Sequence, residues 1–98
     1  MSQQITIIAT LHAQAGKEDA LAARMREMAL ATRQEAGCIL YDLQQAHDDP
    51  REFVMVEYWH DAAAIDEHDA SAHMAALKAD LPALVDRPLV VRRFTQAG

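Results

Sequence analysis

Ninety-eight residues with a formal charge of −6 and a single cysteine make one small domain. The acidic balance argues against nucleic acid or an anionic membrane as partner, because phosphates are held mainly by Lys and Arg. Cys38 alone can form no internal disulfide, which fits a reducing compartment. Apolar residues make up 51% of the chain, enough for a core. No stretch approaches the roughly 20 apolar residues of a membrane span, and MSQQITIIATL has neither a basic leader nor an apolar run long enough for export. The expectation is a cytoplasmic protein.

Ile5, Ile7, Ala9 and Leu11 alternate with Thr6, Ile8 and Thr10, which predicts a first strand. Both of its faces are fairly apolar, as in a strand with neighbours on both sides. Gly16 breaks the pattern, and Glu18 and Asp19 suit the first turn of a helix. Leu21, Met25 and Met28 form one apolar stripe that weakens at Thr32. Gly37, a residue that tolerates the left-handed backbone, reads as the stop. Cys38 to Gln44 reads as a second strand, His47-Asp48-Asp49-Pro50 as a turn, and Glu52 to Trp59 as a third strand, antiparallel to the second. Asp61 can cap the next helix, whose inner face carries Ala64, Ile65 and His68. Asp69-Ala70-Ser71 reads as a break, with Ser71 capping a continuation through Met74, Leu77 and Leu81 that Pro82 ends or kinks. Leu89 to Phe94 is the last strand. The order βαββαβ predicts a ferredoxin-like α+β domain, two helices on one face of a four-stranded antiparallel sheet. Apolar residues on the other sheet face predict a second copy packed against it, a homodimer.

The chemistry gathers between Phe53 and Met74. Phe53, Met55, Glu57 and Trp59 share one side of a pleat. A carboxylate there is partly desolvated, which raises its pKa and makes it a candidate base or a partner that orients a histidine. The alternative is a structural Glu bonded to a backbone amide or to Arg92. His68 should point towards the sheet, where its imidazole suits deprotonation of a phenol or enol; otherwise it is a half-buried helix histidine bonded to a carbonyl. His73 lies about 140° from His68 on an unbroken helix, so the two converge only if the break at 69–71 bends the chain. That spacing is not the one-face arrangement of H-E-x-x-H, and no metal is expected. Trp59 and Tyr41 can stack on a planar substrate or simply fill the core. Cys38 reads as a small buried hydrophobe.

Glu35-Ala36-Gly37-Cys38 with Tyr41, then Phe53-Val54-Met55-Val56-Glu57-Tyr58-Trp59, then His68 and Ala72-His73-Met74 resemble the antibiotic biosynthesis monooxygenase domains. That family's motifs read E-x-G-C-x-x-Y, a strand ending E-x-W, and H-x-x-x-P-H; here Ala72 replaces the Pro. The resemblance spans nearly the whole chain and implies a dimeric α+β barrel. The match is closest to the quinol monooxygenases, which use O2 and no cofactor. It implies His68 and Glu57 as catalytic residues, with Trp59, Tyr41, His73, Phe53 and Met55 around a small dihydroxyaromatic or polyketide-like substrate. A second branch isomerises a phosphorylated autoinducer. A third degrades haem with Asn, Trp and His, whose positions fall near Ala9, His68 and Lys78, so haem is not expected. Beside these enzymes stands a non-catalytic module that binds a hydrophobic metabolite.

Overall fold

The computed structural model describes residues 3–98. In chain order it contains β1 (Ile5–His12), α1 (Glu18–Thr32), β2 (Cys38–Gln45), β3 (Glu52–Trp59), α2 (Ala62–Asp69), α3 (Ala72–Asp80), a single 3-10 turn at Leu81–Ala83 and β4 (Val90–Phe94). The sheet order is β2-β3-β1-β4 with every neighbouring pair antiparallel. This is the ferredoxin-like α+β arrangement expected from the pattern. Element ends move by a residue: β1 runs through His12 and β2 through Gln45, and Leu89 lies just outside β4.

Strand parity decides which side chains meet the helices. On β3, Phe53, Met55, Glu57 and Trp59 are all buried, and their partners across the β1 ladder are Leu11, Ala9, Ile7 and Ile5. Tyr41 and Leu43 of β2 pair with Glu57 and Met55 on that same face. The helices cover it with Leu21, Met25 and Met28 of α1, Ile65 and His68 of α2, and Leu77 of α3. Thr32, where the apolar stripe of α1 was expected to fade, is fully buried.

The helix signals are local and specific. Asp61 Oδ1 accepts from the Ala64 N–H at 2.9 Å, satisfying one of the orphan donors that open α2. After the break, Ser71 Oγ accepts from the Met74 N–H at 3.2 Å and donates to the His68 carbonyl at 2.6 Å. One hydroxyl therefore starts α3 and ties it to the end of α2. Pro82 comes after Leu81, the C-cap of α3, and sits inside the 3-10 turn.

Gly37 does not act as a left-handed stop. Gly16, at φ +80°, is the positive-φ residue among those described, and α1 ends earlier, with Arg33 still right-handed. The reason for glycine at 37 is steric: a Cβ there would run into the Cβ of Ala64 on α2. Meanwhile the Gly37 carbonyl accepts from the His60 N–H at 3.0 Å. The loop between α1 and β2 is thereby pressed against the start of α2.

His12 fastens the far end of β1. Its Nδ1 lies 2.9 Å from Asp86 Oδ1 and its Nε2 3.0 Å from Asp49 Oδ2, while Arg51 donates to Asp86 Oδ2 at 2.8 Å and to the Ala13 carbonyl at 2.9 Å. The β2–β3 turn and the segment leading to β4 are thus joined to one strand end. Hydrogen bonds from the Arg51 backbone and from His12 hold the Asp49 carboxyl below its usual range.

Among the described residues, no helix packs on the opposite sheet face. Ile8, Val54, Val56 and Tyr58 remain half-buried there, and Val90 and Phe94 are 55% and 40% exposed.

Replacing Gly37 with Ala should destabilise the fold by about 1–3 kcal/mol, the usual cost of overpacking. Because the obstruction is one methyl group, the G37A/A64G double variant should lose less than the sum of the two single variants. Urea denaturation of all four proteins checks this; strict additivity would mean that the contact is relieved elsewhere.

Candidate active site

A cavity of about 330 Å³ lies between the sheet and the helices. Most of its wall is apolar, built by Ile7, Ala9 and Leu11 of β1, Met25 of α1, Met55 of β3, and Met74 and Leu77 of α3. Leu81, Leu89 and Val91 close one side, and Val91 is itself 57% exposed. Five polar or titratable side chains reach the wall: Tyr41, Glu57, His68, Asp69 and Lys78. An apolar hollow with a few convergent polar groups is the usual form of a small-molecule site.

Glu57 is 5% exposed, and burial, partly offset by a hydrogen bond from Trp59 and reinforced by the charges of Asp69 and Glu35, raises its pKa to about 7. The Trp59 Nε1–H donates to Glu57 Oε1 at 2.9 Å. Arg92, the alternative partner, instead lies over the Phe94 ring, 4.9 Å from its centroid. Tyr41 is also buried, and desolvation followed by the charge of Glu57 pushes its phenol well above the ordinary value. Tyr41 therefore meets the cavity as a neutral O–H.

His68 is 2% exposed. Its ring stands 4.6 Å from the Trp59 ring and 5.7 Å edge-on from Tyr41, centroid to centroid. The expectation that Glu57 backs His68 is corrected by the structure: His68 Nδ1 lies 2.7 Å from Glu35 Oε2. His73 Nε2 lies 2.7 Å from that same oxygen. The break after Asp69 turns α3 enough to bring the two rings to 5.9 Å. His68 Nε2 is buried and has no hydrogen-bond partner among the described residues.

Three expected wall residues lie elsewhere. His73 sits beyond Glu35 and does not line the cavity. Trp59 is fully buried behind Glu57 and His68, as support rather than wall. Phe53, at the other end of β3, borders a shallow groove with Ala22 and Leu43. Parity put Phe53 and Trp59 on the helix side, but it does not say how far along a strand the cavity reaches; His73 was placed there only by the family resemblance. Met55, Tyr41, Glu57 and His68 do line it. Glu35 was missed as a site residue, although it opens the E-x-G-C motif. The crowding of Gly37 against Ala64 carries it towards α2, and no periodicity reports that. Cys38 is half-buried, and burial followed by the Glu35 and Glu57 charges raises its thiol pKa, so it is poorly suited to act as a nucleophile.

Glu35, His68 and His73 place one ligand-type atom each within 4.8 Å of one another. The two 2.7 Å separations to a single oxygen are charge-assisted hydrogen-bond lengths.

Residues 4–80 match the family model described as antibiotic biosynthesis monooxygenase. The chain belongs to that family. A curated relative from Mycobacterium tuberculosis, "Putative monooxygenase Rv0793", is 33% identical over 91 residues, covering 93% of this chain and 89% of the relative. The crystal structure of SO0527 from Shewanella oneidensis is 36% identical at a TM-score of 0.90, covering 98% of this chain and 93% of that one. PA3566 from Pseudomonas aeruginosa is 33% identical at a TM-score of 0.91, covering 100% and 98%. Family membership supports a monooxygenase-like activity on a small molecule. Among the described residues, no helix is long and apolar enough to cross a membrane.

The chain has one tryptophan, and it donates to Glu57. Its fluorescence should titrate with a midpoint near the Glu57 pKa of about 7, and E57Q should abolish that step. H68Q, measured beside it, identifies any contribution from the stacked imidazole. The sign for stability follows from the raised pKa. The folded state holds its proton up to about 7, whereas the unfolded chain releases it near 4.3. The contribution is therefore present below roughly 4.3 and declines as pH rises to 7, so E57Q should show a flatter stability profile between pH 5 and 8.

Proposed function

We propose that this protein is a cofactor-independent monooxygenase acting on a small dihydroxyaromatic or polyketide-like compound with O2. The observation that supports this reading is an imidazole and a protonatable acid lining one mostly apolar cavity. Such chemistry asks little of a protein beyond a proton acceptor, a proton donor and a dry space.

His68 takes a phenolic proton from the substrate. The resulting electron-rich anion passes an electron to O2, and the two recombine as a peroxide on a ring carbon. Glu57, still largely protonated just below its pKa of about 7, returns a proton to the departing oxygen. For a simple quinol the balance is quinol plus O2 giving a hydroxyquinone plus water. Tyr41, held as a neutral donor, binds a substrate oxygen. Met25, Met55 and Leu77 exclude water from the intermediate, and Trp59 holds the acid in place.

The same acid–base pair also favours an isomerase reading, in which the proton moves between carbons and no oxygen is consumed. Oxygen uptake across a panel of quinols, with mass spectrometry of the products, separates the two. Consumption of one O2 per product with a single oxygen atom incorporated is the expected result; turnover without uptake selects the isomerase. H68A should lower turnover by about 10²-fold or more, within the range of positioned proton transfer, and unchanged turnover removes His68 from the mechanism.

The reading includes a homodimer. A second copy packed on the open sheet face would cover Ile8, Val56 and Phe94, as the small size of the domain encourages. Sedimentation velocity should find a dimer, and I8K/F94K should sediment as a monomer. A wild-type monomer at micromolar concentration would rule out the pairing.

A further inference from the structure

We propose that Glu35, pinned from the outside by His73, is the positioning residue that fixes the tautomer of His68 and leaves Nε2 as its bare, proton-accepting nitrogen. The proposal deepens the reading of His68 as a base, and transfers the orienting role from Glu57 to a loop residue.

A neutral imidazole carries one N–H and one lone pair, and the partner of one nitrogen decides the role of the other. His68 Nδ1 is 2.7 Å from Glu35 Oε2. A carboxylate oxygen only accepts, so the proton belongs on Nδ1. Nε2 then holds the lone pair, and it is the buried nitrogen without a partner. No wall residue competes for this arrangement. Glu57 Oε1 is taken by the Trp59 N–H, and Tyr41, Asp69 and Lys78 contribute to the cavity wall without a hydrogen bond to the ring among those described. When Nε2 receives a proton, the new positive charge sits against the Glu35 carboxylate. A carboxylate behind the imidazole of a serine hydrolase has this same relation to its base.

Glu35 is equipped to stay in place. Its backbone N–H bonds to the Thr32 carbonyl at 3.0 Å and its carbonyl accepts from the Cys38 N–H at 3.1 Å. His73 Nε2 approaches the same Oε2 at 2.7 Å from a position 29% exposed in its side chain. A second N–H donor on one oxygen restricts the rotation of the carboxylate and keeps its charge beside His68. The cost of burying the anion is reduced by two donors instead of one.

Nitrogen-15 NMR of the histidine side chains tests this without any substrate. In the folded wild-type protein, His68 should show a protonated Nδ1 and a lone-pair Nε2, and His73 a protonated Nε2. E35Q retains one acceptor but loses the charge, and should slow turnover of an established substrate by about 10- to 100-fold, part of the roughly 10²–10⁴-fold that positioned proton transfer supplies. It should also displace the pH profile of that turnover, which a packing role would leave in place. H73Q should give a smaller loss in the same direction. Finding the proton of His68 on Nε2, or an E35Q enzyme with wild-type turnover and pH profile, overturns the proposal. So does micromolar binding of added Zn(II) or Fe(II) that disappears in E35Q and H73Q, because the cluster would then be a metal centre. If no quinol is turned over, the tautomers alone decide the role of Glu35, independently of the oxygenase reading.

Discussion

A carboxylate under an apolar layer must either find donors or keep its proton, and this protein does both within one small space. Glu35 is met by two imidazoles, while Glu57 receives one indole N–H and is left with a pKa near neutrality. The two acids are chemically identical and differ only in surroundings. That difference separates their positions around one histidine: Glu35 is bonded to the ring at Nδ1, whereas Glu57 lines the cavity beside it. The fold makes the separation because Glu57 comes from an inner strand of the sheet and Glu35 from a loop outside it.

The helices serve this arrangement more than they serve length. α2 and α3 are 8 and 9 residues long, short enough to be marginal alone. Their ends are secured by Asp61 and Ser71, and the second of these caps also sets the angle between them. A continuous helix would point His73 away from His68. The interruption brings both rings to one oxygen, so a feature that weakens local helix formation is what assembles the site. Gly37 contributes from the other side, because its missing side chain lets the Glu35 loop approach α2.

Much of this is legible in the chain itself. Alternation in Ile5–Leu11 and Phe53–Trp59 fixes which residues face inward, and the structure keeps that parity at every position from Phe53 to Trp59. Ser71 and Pro82 mark real helix limits. The limit of such reasoning shows at Trp59 and Phe53. Period-two alternation assigns a face but says nothing of depth along the strand, and these two residues lie beyond the ends of the hollow. Glu35 escapes for another reason. It sits in a turn, where no periodicity operates, and its partners are 33 and 38 residues away. Its role depends on a close approach between Gly37 and Ala64 that only tertiary packing reveals. The left-handed stop expected at Gly37 fails similarly: glycine was needed for space, not for backbone freedom.

The family model matches residues 4–80, and Leu81, Leu89 and Val91 beyond them supply part of the cavity wall. Glu57 and His68 and this part of the wall therefore come from separate stretches of polypeptide. The later segment is moored at Asp86 by His12 and Arg51. Substitutions within these fewer than twenty residues can re-line that side of the cavity while Glu57 and His68 stay untouched.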